Sequence, residues 1–281
     1  MQAALRGVRQ RRAGGGDQAD SAREVREEVR GGGLNAHAAA PPPVAAILCD
    51  LDGTLLDTVP DIAAAVNAVL RELDDAPIAE STVAGYVGQG VDVLLHRALS
   101  GSRDGRVDAE RLQRARALFD VAYAAVNGRA TRTYAGVVDG LERFRALGVR
   151  LACVTNKPQA AAEAALAKFA LAAYFELVLG DGVLPRRKPA PEPMWYAADR
   201  LGVAAADCLA LGDSANDAGA ARAAGMPIVL VDYGYTEGHP VAEIDCDAIV
   251  SSFVELADAL AGAADARFGF LRRERAPQRA G

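Results

Sequence analysis

Two carboxylates stand two residues apart at the end of an apolar run, in residues 47–55, ILCDLDGTL. In an extended chain this spacing points Asp50 and Asp52 to the same side, and Gly53 permits a sharp turn that brings backbone amides close to an anion. Because neighbouring carboxylates repel, we expect a bound cation or a division of roles. One acid would attack phosphorus while the other protonates the leaving oxygen. The alternatives are a helix cap for one acid and a calcium loop, although Leu55 stands where such a loop needs glycine.

Two further polar clusters come later in the chain. Thr155 and Asn156 close an apolar run, and a hydroxyl with backbone amides at a helix start can bind phosphate oxygens. An ordinary helix N-cap is the alternative for this pair. Lys188 lies in residues 186–191, RRKPAP, where its ammonium would balance the charge of the carboxylates and a phosphate. A solvated basic loop is the alternative for this lysine.

A fourth cluster contains two acids in residues 209–217, LALGDSAND. Asp213 stands at the end of an apolar run and Asp217 near the start of the next helical pattern. Magnesium prefers one or two carboxylates together with water and substrate phosphate. The alternative for Asp217 is that it complements a helix dipole. The four clusters together supply a nucleophile, an acid/base, hydroxyl and amide donors, a cation and metal ligands, which suits phosphoryl transfer.

The elements that must position these residues alternate between short apolar runs and helical patterns. Predicted strands cover residues 44–51, 149–155, 177–179, 208–212, 228–231 and 248–250. Predicted helices cover residues 138–147, 158–169, 191–201 and 217–224. Continuous apolar runs are typical of parallel strands that are buried on both faces. The alternation predicts an α/β fold, a doubly wound parallel-sheet (Rossmann-like) core, whose ligands bind beyond the carboxyl ends of the strands.

One interval interrupts this alternation. Residues 60–134 carry helical patterns and no convincing strand, with apolar residues at helical spacing in 62–73, 91–99 and 109–126. We therefore predict a small all-helical insertion after the first strand.

The two ends of the chain differ in composition from the middle. Residues 1–43 contain Gly and Pro triplets and mixed charge, so they cannot bury enough apolar surface to offset the entropy of ordering. Early arginines suggest a targeting peptide, but nearby acids and the lack of an apolar segment argue against one. The predicted boundaries are a dispensable, disordered N-terminal extension at 1–43, a core at 44–59 and 135–262, the helical insertion at 60–134, and a flexible basic tail at 263–281.

Bulk composition narrows the functional class. A formal net charge of -6 over 281 residues argues against a nucleic-acid partner, and no apolar run is long enough to span a bilayer. The three histidines are scattered without metal-ligand spacing, which argues against zinc. The four cysteines include no CxxC pair and are expected to be free thiols in a reducing compartment, which favours the cytoplasm. The sequence does not decide between a monomer and a homodimer.

The four ordered clusters resemble the motifs of the haloacid dehalogenase superfamily over residues 44–260. The resemblance implies that Asp50 is the nucleophile that becomes aspartyl-phosphate and also binds Mg²⁺. It implies that Asp52 is the general acid/base, with its backbone carbonyl on the metal. Asp52 also argues against dehalogenase chemistry, because that branch lacks an acid at this position.

The remaining motifs carry further implied roles. Thr155 and the amide of Asn156 resemble the phosphate-binding groups, and Lys188 resembles the charge-balancing lysine. Asp213 resembles the direct metal ligand, and Asp217 would bind the metal or orient a metal-bound water.

Within the superfamily the chain looks most like bacterial phosphoglycolate phosphatases. The supporting stretches are YVGQG at 86–90, HRAL at 96–99, VTNKP at 154–158 and DYGY at 232–235. The resemblance makes the insertion a cap that closes over the site and excludes water. It implies that Gly88, Gln89 and Gly90 form a cap loop and that Arg97 meets the substrate carboxylate. The expected reaction is Mg²⁺-dependent hydrolysis of 2-phosphoglycolate to glycolate and phosphate.

Three other functions stay open beside phosphoglycolate hydrolysis. The same machinery serves other sugar-phosphate or nucleotide phosphatases, as well as β-phosphoglucomutase-like mutases. The third is a catalytically inactive binding module, which the intact Asp50, Asp52, Lys188 and Asp213 argue against.

Overall fold

A computed structural model describes residues 44–262 and 268–270. Its central feature is a six-stranded sheet in the order β5-β4-β1-β6-β7-β8, in which every neighbouring pair is parallel. The strands are β1 (Ala46–Cys49), β4 (Arg150–Pro158), β5 (Leu177–Asp181), β6 (Cys208–Gly212), β7 (Ile228–Val231) and β8 (Ala248–Val250). All six apolar runs that were predicted as strands are therefore strands, and the doubly wound parallel sheet is confirmed.

Helices cover both faces of the sheet, because successive strand residues point to opposite sides. In β1, Ile47 packs into a core with Phe144 and Phe253, while Leu48 packs into a second core with Met194 on the other face. The helices of the first face are α5 (Val137–Ala146), α6 (Gln159–Lys168) and α9 (Phe253–Leu260), and those of the second are α7 (Glu192–Arg200) and α8 (Ala215–Ala224). The alternation along one strand thus buries apolar side chains in two separate layers.

A set of four helices separates β1 from β4 in the sequence. They are α1 (Val59–Glu72), α2 (Glu80–Ala84), α3 (Val91–Ser100) and α4 (Ala109–Val126). Their apolar faces form a third core, in which Val66, Leu95 and Phe119 are buried. We call this set the cap.

A short antiparallel ribbon joins the cap to the sheet. It pairs β2 (Leu56–Asp57) with β3 (Arg132–Thr133). The expectation of no strand within 60–134 was therefore wrong for Arg132–Thr133, because a two-residue ladder is too short to produce an apolar alternation. Beside this ribbon, Asp61 in the first turn of α1 accepts hydrogen bonds from the backbone N–H of Ala130 and Thr131, at 2.8 and 3.0 Å. These hydrogen bonds thus hold together the two segments through which the chain enters and leaves the cap.

Several predicted boundaries shift at the carboxyl ends of the strands. Strand β1 ends at Cys49 rather than at residue 51, since the chain turns at Gly53, whose φ is 89°. Strand β4 continues to Pro158 rather than 155, because Pro158 pairs with Asp181 after a register shift. Helix α8 begins at Ala215, two residues before the predicted start.

The predicted disordered extension at 1–43 lies outside the described residues, and so does most of the predicted flexible tail. Within that tail, residues 268–270 are described, and Phe268 is buried against the first core. In the described part of the chain, no helix combines the length and the apolar character that a membrane crossing needs.

Candidate active site

The sheet order brings the predicted clusters to one edge. Strand β1 lies between β4 and β6, and Cys49 is level with Cys153 on one side and Leu211 on the other. Asp50 follows β1, Thr155 lies near the end of β4 and Asp213 follows β6. These side chains therefore meet beyond the carboxyl ends of three adjacent strands, where open α/β sheets bind their ligands.

Three buried carboxylates form the centre of this edge. Asp50, Asp213 and Asp217 each place an oxygen within 4.8 Å of the others. Burial raises the pKa of Asp50 to about 6, although Lys188 counteracts the shift. Burial, followed by the charges of Asp217 and Asp50, raises the pKa of Asp213 well above its usual value. Oxygen ligands with excess negative charge fit a hard divalent cation, so the donor set is that of a metal site.

Lys188 lies between two of these acids. Its ammonium donates hydrogen bonds to Asp50 Oδ1, Asp217 Oδ1 and the carbonyl oxygen of Val154, each at 2.7 Å. All three ammonium protons are therefore engaged. Burial by itself would lower the pKa of Lys188, but the charges of Asp217 and Asp50 outweigh it and raise that pKa, so the side chain stays cationic.

Polar neighbours fix the two metal-ligand candidates that lie beyond β6. Asp213 accepts a hydrogen bond from Thr54 Oγ1 at 3.1 Å and one from the backbone N–H of Tyr235 at 2.7 Å. Asp217 Oδ2 accepts from Ser214 Oγ at 2.7 Å and from the Ser214 backbone N–H at 3.1 Å, and the second of these bonds belongs to a capping box at the start of α8. No role for these supporting residues was predicted from the sequence.

Asp52 has a different environment from Asp50. Its Oδ1 accepts hydrogen bonds from Thr58 Oγ1 at 2.7 Å and from Lys157 Nζ at 2.8 Å. The Lys157 ammonium also lies over the ring of Tyr123 in the cap, 4.8 Å from its centroid, which is a cation–π distance. No role for Lys157 was predicted from the sequence, although it directly follows Asn156.

The end of β4 connects the core to the cap loop. Asn156 Nδ2 donates hydrogen bonds to the carbonyl oxygens of Gly88 in the cap and Lys188 in the core, both at 2.9 Å. The hydroxyl of Thr155 accepts from the backbone N–H of Lys157 at 3.2 Å. Both Thr155 and Asn156 line the central cavity.

That cavity has a volume of about 390 Å³ and separates the sheet edge from the cap. Its core wall is polar and includes Asp50 and Asp52. Its cap wall is largely apolar and includes Leu94, Phe119 and Tyr123. A small anionic group can therefore be held against the core while the cap excludes water above it.

The residues predicted for the cap loop and for the turn after β1 do not all line the cavity. Gly88 and Gly90 line the cavity with positive φ angles of 130° and 83°. Gln89 instead donates from Nε2 to Glu237, at 2.9 Å. Gly53 does not line the cavity, but a Cβ there would collide with the Asp213 carboxylate.

The structure does not bring Arg97 to the cavity, contrary to the expectation that it meets a substrate carboxylate. The side chain is buried, with 6% of the residue exposed. Its guanidinium donates to the carbonyl oxygens of Tyr86 and Arg103, at 2.9 and 3.1 Å, and lies 3.4 Å from the Glu237 carboxylate. A buried arginine needs a partner for its charge, and Glu237 supplies it from within the protein.

The comparison with known families assigns the class. The model of the haloacid dehalogenase-like hydrolase family matches residues 44–225, which is more than half of the chain. The chain therefore belongs to the haloacid dehalogenase-like hydrolases.

Individual relatives agree with this assignment. The chain is 46% identical over 215 residues to a phosphoglycolate phosphatase of Nitrosospira multiformis, covering 76% of this chain and 95% of that protein. It is 42% identical over 217 residues to a phosphoglycolate phosphatase of Thiobacillus denitrificans, covering 77% and 96%. The crystal structure of a predicted phosphoglycolate phosphatase from Haemophilus somnus superposes with a TM-score of 0.72 at 32% identity, over 78% of this chain and 97% of that one.

Proposed function

We propose that this chain hydrolyses 2-phosphoglycolate to glycolate and phosphate, with Mg²⁺ as its metal. The observation that carries the proposal is the Asp50–Lys188–Asp217 arrangement beside Asp213, a charge-balanced carboxylate cluster at a cavity. The choice of substrate is supported by relatives named phosphoglycolate phosphatase at 46% and 42% identity.

The reaction follows from two carboxylates in different environments. Asp50 attacks phosphorus and the bond from phosphorus to the glycolate oxygen breaks, leaving an aspartyl-phosphate. Asp52 in its protonated form gives its proton to the departing oxygen. Asp52 then takes a proton from water, the water oxygen attacks phosphorus, and inorganic phosphate leaves with Asp50 restored. Asp52 therefore acts first as a general acid and then as a general base, whereas Asp50 acts as the nucleophile.

The surrounding groups hold the phosphoryl oxygens. Asp50, Asp213, Asp217 and the Asp52 carbonyl would hold Mg²⁺ directly or through its waters, and the bound ion would supply positive charge against those oxygens. Lys188 orients Asp50 and balances its charge.

Neutral donors complete the proposed phosphate site. The Thr155 hydroxyl and the backbone amide of Asn156 donate to the phosphate, and Gly53 lets other backbone amides approach it. Such fixed donors stabilise developing charge without reorganisation.

The proposed division of the chain assigns the core to 44–59 and 135–262 and the cap to 60–134. In this proposal Gly88, Gln89 and Gly90 form the loop with which the cap meets the sheet edge. The hydrogen bond from Asn156 Nδ2 to the Gly88 carbonyl, at 2.9 Å, supports that placement. Free thiols at all four cysteines support a reducing compartment, and we place the protein in the cytoplasm.

The test is phosphate release from 2-phosphoglycolate, β-glucose 1-phosphate and nucleoside monophosphates, with Mg²⁺ and after chelation. We expect metal-dependent release with a strong preference for 2-phosphoglycolate. The Asp50→Asn variant should fold normally and lose turnover, because the amide is a poor nucleophile. Normal turnover in that variant would contradict the aspartyl-phosphate mechanism. A preference for another ester would contradict the substrate and leave the mechanism standing.

A further inference from the structure

The cavity contains a second lysine whose hydrogen-bonding capacity is incompletely used. Among the described residues that line the cavity, the cationic side chains are Lys157 and Lys188. Lys188 donates all three of its ammonium protons, to Asp50, Asp217 and the Val154 carbonyl. Within the described part of the chain, Lys157 donates one hydrogen bond to the Asp52 carboxylate and also interacts with the side chain of Tyr123. An ammonium has three donors, so Lys157 retains donor capacity at the cavity wall.

The charge of the cavity makes this capacity significant. Five carboxylates line it, and two lysines oppose them. The carboxylates are Asp50, Asp52, Asp120, Asp213 and Asp217. A substrate that carries a carboxylate besides its phosphate adds further negative charge. A carboxylate that leaves water without a cationic partner is strongly disfavoured, so the cavity must offer one.

The cap does not offer a cation at this point. The described cap residues that line the cavity include no Lys, Arg or His. Arg97 is engaged with Glu237 outside the cavity. Arg187 also lies outside this cavity's lining and pairs with Asp181 at 3.2 Å. Lys157 is therefore the available cation for a second anionic group.

The position of Lys157 along β4 suits this role. Thr155 and Lys157 both lie near the carboxyl end of β4, and both line the cavity. A small molecule whose phosphate meets Thr155 can thus present its other end to Lys157. The ring of Tyr123 covers the ammonium from the cap and separates it from bulk water.

We infer that Lys157 binds the carboxylate of the substrate and so selects phosphoesters that carry a carboxylate over those that do not. The inference rests on the proposed function, because it presumes a substrate with a carboxylate. Lys157, a residue of the core, thus takes the role that was expected of Arg97, which lies outside the cavity. No bond is made or broken at Lys157, and its effect is on binding and orientation.

The experiment compares two substrates that differ at one end. 2-Phosphoglycolate carries the carboxylate, and 2-hydroxyethyl phosphate carries a neutral hydroxymethyl group in its place. For Lys157→Met we expect the ratio of kcat/KM for the two substrates to fall by about 10- to 100-fold, as the loss of one charge-assisted hydrogen bond predicts. The loss should appear mainly in KM for 2-phosphoglycolate. Lys157→Arg should restore part of the ratio, and Arg187→Met, which removes a nearby charge outside the cavity, should leave it unchanged.

An equal loss for both substrates would overturn the inference, because Lys157 would then act only by holding Asp52. Lys157→Gln provides a second neutral variant if the methionine variant does not fold, and circular dichroism checks folding in each case. Wild-type protein that hydrolyses phosphoesters without preferring 2-phosphoglycolate would refute the proposed substrate, and the role of Lys157 would fall with it. If the wild-type protein prefers 2-phosphoglycolate but both neutral variants keep the wild-type ratio of kcat/KM, the role of Lys157 is refuted and the proposed substrate stands.

Discussion

Replacing Glu237 by alanine is expected to destabilise the folded protein by about 3 kcal/mol. Glu237 is 5% exposed and its carboxylate faces Arg97 at 3.4 Å and Gln89 at 2.9 Å, both in the cap. Its other oxygen accepts a hydrogen bond from Asn216 in the core. Removing the carboxylate leaves the Arg97 guanidinium buried without a counter-charge, which costs about 3–5 kcal/mol in comparable buried pairs. We take the lower end because Arg97 keeps its hydrogen bonds to two carbonyl oxygens.

The corresponding fall in Tm is about 6–12 °C, since 1 kcal/mol shifts the Tm of a domain this size by about 2–4 °C. Equilibrium urea unfolding and calorimetry measure it directly. The control is Glu243→Ala, an exposed acid in the next turn of the same loop, which should change stability by less than about 0.5 kcal/mol.

A double-mutant cycle separates the charge pair from general packing. In Arg97→Met combined with Glu237→Ala, no uncompensated charge remains, so the double variant should be more stable than the sum of the single effects predicts, by about 0.5–3 kcal/mol. A Glu237→Ala protein whose Tm lies within about 1 °C of wild type, or a strictly additive cycle, would refute this account of the cap–core contact.

Two further substitutions test other contacts. Gly234→Ala should abolish most turnover and weaken Mg²⁺ binding, measured by calorimetric titration, because the added Cβ would overlap Asp213. Gly269→Ala, whose Cβ meets nothing within 4 Å, is its control, and unchanged Mg²⁺ affinity in Gly234→Ala would contradict the prediction. Asp61→Ala should lower the free energy of unfolding by about 3 kcal/mol, because it removes the acceptor of the two buried Thr131 donors and of the partly buried Ala130 N–H. Asp61→Asn, which keeps an acceptor, should cost less in the same urea experiment, and equal losses in both would show that hydrogen bonding is not the cause.

The core of the fold was accessible from the sequence because its strands are buried on both faces. Ile47 and Leu48 serve different layers, so an unbroken apolar run was the expected signal. The acids at strand ends were equally visible, since each follows such a run directly. The ribbon at Arg132–Thr133 was not visible, because two residues carry no periodicity and depend on a partner strand far away in the chain.

The contacts of individual basic residues were the least predictable part. Arg97 and Glu237 are separated by 140 positions, and nothing near Arg97 in the sequence signals a buried acid. Lys157 and Asp52 are separated by 105 positions. Whether an arginine or a lysine faces the cavity depends on how the cap rests on the core. That arrangement is set by long-range packing rather than by local pattern.

One core loop connects the carboxylate cluster with both the entrance and the body of the cap. The backbone N–H of Tyr235 donates to Asp213 at 2.7 Å, and its hydroxyl accepts from the backbone N–H groups of Thr58 and Val59, at 2.6 and 3.0 Å, where α1 begins. Two residues later, Glu237 holds the cap through Arg97. These contacts share a three-residue segment, 235–237, so the same stretch of backbone contacts the cap and orients Asp213. The cap and the acidic cluster are therefore joined through one short core segment, although the residues involved are scattered through the sequence.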